Sequence, residues 1–358
     1  MADPASASLA GLVDPPRLQA WLDEHLPGLG DGPLEVELTH GGTSNVILSL
    51  HRGGPTAMLR RPPLVPPPGS EKGISREARV LSALNGTDVP HPTLLAVCDD
   101  PAVAGSAFYI MQKVDGWAGQ LTDDDTLYHA PFDKAPYRHG VGYAMADALV
   151  RLANVDYRAV GLEGFGKPHG FLARQADRWL SQLASYRTLY DWDRKIPGID
   201  YVADWLRANT PPDAPPGIIH GDVGSPNTLF GHDAPCRVTA LIDWELSTIG
   251  DPMIDLAWFA NGLNDEREPG VNKTHGSFNP QGLPTRQALA RYYAAGTGRD
   301  IANLDYYLVL AMFKNVCIVE YKVAQAAQGT LPQSVGRFFD RLVLARAAEA
   351  ERVARRAG

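Results

Sequence analysis

Cysteine is scarce in this chain, and its three cysteines, Cys98, Cys236 and Cys317, lack the close spacing of a metal-binding motif. An odd and widely separated set favours free thiols in a reducing compartment over a disulfide framework. A basic excess is also missing, because the formal net charge is −8. A protein without a positive field is a poor general binder of nucleic acid, so we expect no nucleic-acid partner.

Long apolar runs are missing as well. The N-terminal segment has neither the basic residues nor the apolar stretch of a signal peptide. No uncharged apolar run approaches the roughly 20 residues that a membrane-spanning helix requires. We therefore expect a cytoplasmic protein without a membrane segment. The 358 residues, 44% hydrophobic and 21% charged, are typical of a globular chain that is large enough for two domains.

Apolar periodicity divides the chain into a strand-rich first third and a helix-rich remainder. Residues 16–26 place apolar side chains at helical spacing and predict a helix ahead of the strands. Ser75 is the expected N-cap of a second helix that ends at Leu84. Alternating apolar residues predict five strands. These strands are expected at residues 34–38, 46–50, 56–60, 94–97 and 107–114.

After Asp115 and Gly116 the pattern changes to helices. Helical spacing recurs at residues 141–152, 171–190, 201–208, 289–295, 304–325 and 335–354. We therefore expect an α+β protein with an N-terminal helical extension (1–33), an N-terminal lobe that carries a five-stranded antiparallel sheet (34–115) and a larger helical C-terminal lobe (116–358). A cleft between two such lobes would be the place for a small ligand.

The segment 219–256 carries the most specific pattern. It contains His-Gly-Asp at 220–222, then Asn227, and then Asp243 at the end of an apolar run. Phosphoryl transfer needs a positioned nucleophile and neutralised phosphate charge, with little covalent help from the protein. The Asp222 carboxylate can take the proton of an acceptor hydroxyl, whereas the oxygens of Asn227 and Asp243 suit Mg²⁺ bound beside phosphates. Single Asp and Asn residues in loops mostly form turns, but this conjunction favours phosphoryl transfer.

This pattern resembles the catalytic loop and metal-binding segment of the aminoglycoside phosphotransferase and choline kinase-like family, distant relatives of the protein kinases. The resemblance implies a bilobal protein-kinase-like fold, ATP as co-substrate, Mg²⁺ as cofactor and a hydroxylated small molecule as acceptor of the γ-phosphate. It implies Asp222 as catalytic base, and Asn227 and Asp243 as Mg²⁺ ligands. His220 and Asp255 are expected to support the catalytic loop by hydrogen bonds to its backbone.

The first third of the chain is similar to the nucleotide-binding lobe of the same family, with a glycine-containing hairpin, a basic third strand, an acidic helix and a hinge in that order. Position 60 is arginine where the family has lysine. Arg61 is the alternative phosphate contact, although strand alternation places it on the opposite face from Arg60. Within the hinge, Gln112 and Val114 are expected to offer backbone contacts to adenine. The resemblance implies these nucleotide-binding residues: Gly41, Gly42, Thr43, Ser44, Asn45, Arg60, Glu77, Met111, Gln112 and Val114.

The acceptor is the part that the sequence leaves open. Asp265, Glu266 and Glu268 form either a carboxylate cluster for a polyamine or a solvated charged loop. A second set forms either the wall of an apolar pocket or part of the core: Trp258, Tyr292, Tyr293, Tyr306 and Tyr307.

Two short segments bear on the acceptor class. The residues around Arg60 and Glu77 resemble the branch of the family that is fused to acyl-CoA dehydrogenases. That resemblance implies a hydroxylated metabolite or acyl compound in preference to an aminoglycoside. A non-catalytic nucleotide-binding scaffold and a protein kinase are further alternatives. The sequence indicates neither an oligomeric state nor a preference between ATP and GTP.

Overall fold

The computed structural model describes residues 11–41, 45–65, 70–121, 126–268 and 279–358. Within these ranges the strands are β1 Glu35–Gly41, β2 Val46–His51, β3 Ala57–Arg61, β4 Leu94–Cys98, β5 Phe108–Gln112, β6 Gln120–Leu121, β7 Thr126–Leu127, β8 Gly217–Ile219, β9 Thr228–Phe230, β10 Val238–Leu241 and β11 Thr248–Gly250. The helices in the same ranges are α1 Pro15–His25, α2 Ser70–Leu84, α3 Pro101–Ala104, α4 Arg138–Asn154, α5 Gln175–Tyr190, α6 Ile199–Ala208, α7 Met253–Ala260, α8 Arg286–Thr297, α9 Leu304–Ala327 and α10 Gln333–Ala357. A search of these residues for a helix both long and apolar enough to cross a membrane finds none.

The described residues form two compact units. The first takes the chain up to Asp115, together with Val160–Leu162 and Ala240–Ser247. The second takes the rest of the described chain from Gly116 onward. The segment Ala240–Ser247 therefore belongs with the N-terminal sheet, although it follows the sheet by more than a hundred residues in sequence.

The first unit is built on an antiparallel sheet with the strand order β1-β2-β3-β5-β4, which confirms the five predicted strands. Strand alternation gives the sheet two different faces. On one face, Leu59 of β3 and Ile110 of β5 join the buried side of α1 in a hydrophobic core. Their neighbours Arg60 and Tyr109, which are paired across β3 and β5, therefore point to the other face.

Helix α2 begins at Ser70, so the prediction of Ser75 as its N-cap is wrong. The first turn of the helix is polar and gives no apolar signal, which is why the sequence pattern starts late. Ile74, Ala78 and Leu81 are buried at helical spacing. Glu77 lies within this apolar stripe and is only 1% exposed. An acid in that position needs a partner, because an unpaired buried charge is costly.

The second unit is mostly helical, and each of the six predicted helices is present, with ends that differ by up to four residues. Helix α9 is buried on most sides and packs against α5, α6, α7 and α10. The short strand β8 pairs antiparallel with β11, and the residues that follow β8 form the predicted catalytic loop. Helices α7 and α9 contact each other beside that loop, and each supplies a charged side chain to it.

Candidate active site

An ion-pair cluster lies on the face of the first unit's sheet opposite the α1 core. Arg60 Nε is 3.1 Å from Glu77 Oε2, and Arg60 Nη2 is 2.6 Å from Asp243 Oδ1. The hydroxyl of Tyr109 donates a hydrogen bond of 2.9 Å to Glu77. The structure therefore brings Arg60, Glu77 and Asp243 together, as a basic third-strand residue held between two carboxylates.

Burial and ion pairing shift the pKa values of Arg60 and Glu77 in opposite directions. Burial alone would lower the pKa of Arg60, but Glu77, Tyr109 and Asp243 together raise it above its ordinary value. Burial raises the pKa of Glu77, whereas the charge of Arg60 lowers it. Arg60 therefore stays cationic, and Glu77 depends on it for a counter-charge. A cation fixed in this way can also meet phosphate oxygens.

Arg61 has a different environment from Arg60. Its guanidinium donates to the backbone carbonyls of Pro62 and Ala104, at 3.0 Å for the first and 2.6 Å for the second. It thus lies on the α1 side of the sheet, as strand alternation predicted, and away from Glu77.

The other predicted nucleotide contacts are only partly described. Gly41 ends β1 opposite Val46, and Asn45 is half-buried. Gly42, Thr43 and Ser44 lie outside the described residues. Met111 is buried in β5, and Val114 is half-buried.

The expected adenine contact at Gln112 stays a prediction, and its backbone hydrogen bond limits the form that this contact can take. Its backbone N–H donates to Thr93 O at 2.9 Å within the edge of the sheet. This N–H is therefore already used, and Gln112 can offer adenine only an acceptor, its carbonyl oxygen.

Three carboxylates of the first unit could hold a metal ion. Oxygens of Glu77, Asp243 and Glu245 all lie within 4.8 Å of one another. Such a set of hard anionic oxygens fits Mg²⁺ better than a softer metal. Asp243 also has a positive φ of 67°, a conformation that Asp and Asn tolerate better than other residues with a side chain.

In the second unit, the predicted catalytic loop is held through hydrogen bonds from its backbone to a carboxylate of α7. Asp255 of α7 accepts hydrogen bonds from the backbone N–H groups of His220 at 2.6 Å and Gly221 at 2.9 Å. Burial raises the pKa of Asp255 to about 6, although the two N–H groups and Lys314 act in the opposite direction. Gly221 has a φ of 92°, which a residue with a Cβ would adopt only at a cost. The expected role of Asp255 in supporting the loop is thus confirmed.

Asp222 and Asn227 are adjacent at the turn of this loop. Asn227 Nδ2 donates to the Asp222 carboxylate at 3.0 Å and to the Asp222 backbone carbonyl at 2.9 Å. The buried His220 ring accepts a hydrogen bond at Nδ1 from the backbone N–H of Asp222, at 3.3 Å. These bonds fix the direction of the Asp222 side chain. His220 acts on the loop backbone, as expected.

Lys314 of α9 is a functional candidate that the sequence reading missed. Its ammonium donates to the carbonyl of Gly221 and lies 4.3 Å from the ring centroid of Trp258. Burial lowers the pKa of Lys314 to about 8, while the carboxylates of Asp222 and Asp255 oppose this shift. The sequence signal that could have identified it is a lysine inside an apolar stretch. This stretch comprises residues 308–313 before the lysine and residues 316–319 after it.

The lowered pKa of Lys314 predicts a pH-dependent stability. Below about pH 8 the lysine is charged in both the folded and the unfolded state. Between about pH 8 and 10.5 the unfolded state binds the proton and the folded state does not, so the stability of the folded state rises with pH. Compared with Lys314→Met, we expect the wild type to gain about 2–3 kcal/mol of unfolding free energy over this window.

Denaturant unfolding at a series of pH values measures this gain. Lys314→Arg is the control, because arginine keeps its charge at these pH values and its difference from Lys314→Met should stay flat. A constant difference between the wild type and Lys314→Met would contradict the prediction.

A cavity of about 360 Å³ opens beside the catalytic loop within the second unit. Residues 222–227 form one part of its wall, and Trp258 and Phe259 of α7 form another. The remaining wall includes Asn315 of α9 and Arg346 of α10. The volume is at the lower end of the roughly 300–1,000 Å³ that small-molecule sites occupy.

The acidic residues after α7 form a charged loop that is only partly solvated, because Glu266 is exposed and Asp265 is buried, and arginines take up the carboxylates that a polyamine would need. Asp265 is buried and pairs with Arg267 and Arg356. Burial would raise the pKa of Asp265, but the arginines hold it below its usual range. Glu266 pairs with Arg291 and Glu268 with Arg352 and Arg356. Each of the three carboxylates therefore has an arginine partner.

The aromatic candidates separate into two groups. Trp258 lines the cavity, whereas Tyr293, Tyr306 and Tyr307 are buried in the core. Tyr307 donates a hydrogen bond of 2.6 Å to Asp251. Tyr292 is 41% exposed. Only Trp258 of this set belongs to the candidate site.

Comparison with known proteins places the chain among phosphotransferases. Residues 35–298 match the family described as "Phosphotransferase enzyme family". Human (Homo sapiens) acyl-CoA dehydrogenase family member 11 is 32% identical over 318 residues, which is 86% of this chain and 39% of the human protein. The chain thus spans about two fifths of the length of that relative.

Solved structures agree with this match. A "putative aminoglycoside phosphotransferase" of Ralstonia eutropha JMP134 is 30% identical with a TM-score of 0.80, and the alignment covers 96% of this chain and 99% of that chain. A thermostable mutant of the aminoglycoside phosphotransferase APH(4)-Ia, solved with AMP-PNP and hygromycin B, has a TM-score of 0.57 at 17% identity and covers 94% of this chain and 97% of that chain. At 17% identity, this second structure shows only that the fold is shared. With most of its length matched, the chain has a protein-kinase-like fold and belongs to the phosphotransferase enzyme family.

Proposed function

We propose that this protein is an ATP- and Mg²⁺-dependent O-phosphotransferase that moves the γ-phosphate of ATP to a hydroxyl group of a small molecule. The observation that carries the proposal is the Asp222 carboxylate, fixed by Asn227 at 3.0 Å in the wall of the small cavity. A carboxylate held beside a cavity of this size can receive the proton of a bound hydroxyl.

Asp222 is the proposed catalytic base. The acceptor hydroxyl donates a hydrogen bond to its carboxylate and loses its proton to it as the oxygen attacks the γ-phosphorus, while the bond from that phosphorus to the β,γ-bridging oxygen breaks and ADP leaves. Asn227 and the loop backbone keep the carboxylate oriented, and the carboxylate interacts with the charge of Lys314. His220 is a positioning residue, because it contacts the Asp222 backbone.

Asn227 and Asp243 are the proposed Mg²⁺ ligands, and Glu245 lies close enough to Asp243 to assist. Mg²⁺, when bound, neutralises charge on the phosphate oxygens. One Asp243 oxygen already pairs with Arg60, but a carboxylate has a second oxygen to offer. The carboxylate and amide oxygens of these residues are the donor types that Mg²⁺ takes alongside phosphates.

Arg60 is the proposed phosphate contact, with Glu77 holding its guanidinium in place. The backbone around residues 41–45 would approach the phosphates, and the stretch 111–114 would border the adenine. Arg60 is supported in this role by its ion pairs with two carboxylates, whereas Arg61 is engaged with backbone carbonyls. For the acceptor we propose a hydroxylated metabolite or acyl compound, in line with the acyl-CoA dehydrogenase name of the human relative.

A screen of acceptors tests the proposal. Purified protein with Mg-ATP is offered a panel of hydroxylated metabolites, acyl compounds and aminoglycosides, and ADP release and the phosphorylated product are measured. We expect at least one hydroxylated metabolite or acyl compound to be phosphorylated, and Asp222→Asn to serve as the blank.

The outcomes of this screen separate the alternatives. If the protein binds nucleotide but shows no turnover that depends on Asp222, the proposal is contradicted and a non-catalytic scaffold is favoured. Phosphorylation of aminoglycosides alone would keep the reaction and change the acceptor class.

A further inference from the structure

The cavity beside Asp222 contains a buried cation that has no carboxylate partner within the described chain. Arg346 is 7% exposed and lines the cavity from α10. The hydrogen bond of its guanidinium within the described residues goes from Nη1 to the backbone carbonyl of Asn261, at 3.2 Å. A guanidinium carries five N–H donors, so one neutral acceptor leaves most of its binding capacity unused.

The acid whose charge acts on Arg346 is Glu349, and its oxygens are bound to other arginines. Glu349 binds Arg352 through both of its oxygens, at 2.8 Å and 2.7 Å, and also binds Arg286 at 3.2 Å. Burial lowers the pKa of Arg346 to about 10, and Arg286 adds to this effect while Glu349 opposes it. Arg286 and Arg352 also have further carboxylate partners, Asp265 at 3.8 Å and Glu268, so Arg346 is the member of this arginine group without an ion pair among the described residues.

A second buried polar group faces the same cavity. The side-chain oxygen of Asn315, on α9, is buried and has no hydrogen-bond partner among the residues that the structure describes. Buried polar atoms are nearly always paired, so an unpaired one in a cavity wall indicates a group that a ligand would satisfy. Asn315 would accept a hydrogen bond from a hydroxyl or an amide N–H of that ligand.

We propose that this cavity binds an acceptor that carries one anionic group, a carboxylate or a phosphate, as an ion pair with Arg346, while its hydroxyl lies at Asp222. The inference rests on the proposed function and adds the charge of the substrate to it. Arginine suits this role because its planar fork binds carboxylates and phosphates through two parallel hydrogen bonds. Asn315 would contact a polar group on the same acceptor.

The same arrangement disfavours a polycationic acceptor. Arg346 lines the cavity, Lys314 lies behind Trp258, and the three acids after α7 are already neutralised by arginines. Asp222 is the one carboxylate in the described wall of the cavity. Like charges brought together in a poorly solvated site repel, so an aminoglycoside would meet a cation here and find no free acidic cluster.

A matched series of acceptors tests the inference. We would use ω-hydroxy acids of increasing chain length, the amides of the same acids, the phosphate monoesters of the matching diols, and the matching amino alcohols. Binding is measured by calorimetry and phosphoryl transfer by ADP release. We expect an anionic member to have a kcat/KM at least about 30-fold above its neutral amide, and the amino alcohol to be poorest.

Arg346→Met should remove this preference. It keeps the length and apolar contacts of the side chain and deletes the charge. The kcat/KM of the anionic acceptor should fall to about that of the amide, while the thermal shift that Mg-ATP produces should be unchanged and report that the variant is folded. Arg346→Lys should keep part of the preference, and Arg355→Met, the same change at an exposed position of α10, should keep all of it.

The readouts separate this inference from the proposed function. Equal use of anionic and neutral acceptors, or a preference that survives Arg346→Met, overturns the anion site while phosphotransfer stands. Binding of the anionic acceptor that depends on Arg346, without any turnover, supports the anion site and contradicts phosphotransfer. Preference for the carboxylate or for the phosphate supports the inference in either case and identifies the group.

Discussion

Replacing Asp222 by asparagine is expected to lower kcat for phosphoryl transfer by about 10²–10⁴-fold, the usual contribution of a general base. The amide has the size of the carboxylate and can still accept the hydrogen bond that Asn227 donates at 3.0 Å. It cannot accept a proton from the acceptor hydroxyl at neutral pH. The variant should therefore stay folded and lose only the proton-transfer step.

Nucleotide affinity distinguishes a specific loss of proton transfer in Asp222→Asn from a general loss of folded structure. The thermal shift that Mg-ATP produces should be nearly the same in the wild type and in Asp222→Asn, because the proposed phosphate contact is Arg60 and the proposed Mg²⁺ ligands are Asn227 and Asp243. Asp204→Asn, an exposed surface acid on α6, is the matched control and should leave kcat unchanged. Full activity in Asp222→Asn would remove Asp222 from the role of base.

The sequence was informative wherever a local pattern decides the structure. The five strands followed from alternation, and alternation also separated Arg60 from Arg61, because neighbouring residues of β3 point to opposite faces of the sheet. Helix α7 escaped notice for the opposite reason. Seven of its eight residues are buried, so it has no polar face and shows no helical period.

Long-range contacts were harder to foresee. The partner of Glu77 could be inferred only from a resemblance, and Lys314 and Arg346 meet the catalytic loop or the cavity from helices far along the chain. Lys314, Arg346 and Glu77 share one feature in the sequence. Each is a charged residue at a position where helical spacing calls for an apolar one. A buried charge is costly without a partner, so such positions are worth testing as parts of a site.

Replacing Asp243 by asparagine is the second large effect that we expect. Removing this anionic ligand should abolish the Mg²⁺-dependent part of ATP binding and lower kcat/KM by about 10³-fold, since metal neutralisation of phosphate charge is worth several kcal/mol. Asparagine is the better choice here because Asp243 has a φ of 67°, which asparagine tolerates. Alanine would add a backbone cost of about 1–2 kcal/mol.

Comparing the two variants separates the loss of metal binding from backbone strain. Asp243→Asn and Asp243→Ala should lose the Mg-ATP thermal shift equally, and chelation by EDTA should produce the same loss in the wild type. Asp243→Ala alone should show the additional loss of unfolding free energy. Asp191→Asn is the matched control, because Asp191 is exposed and, with Asp243, is one of two non-glycine residues with a positive φ in the described chain. A Mg²⁺-dependent shift that persists in Asp243→Asn would show that other carboxylates hold the ion, and Glu245 would then be the first to replace.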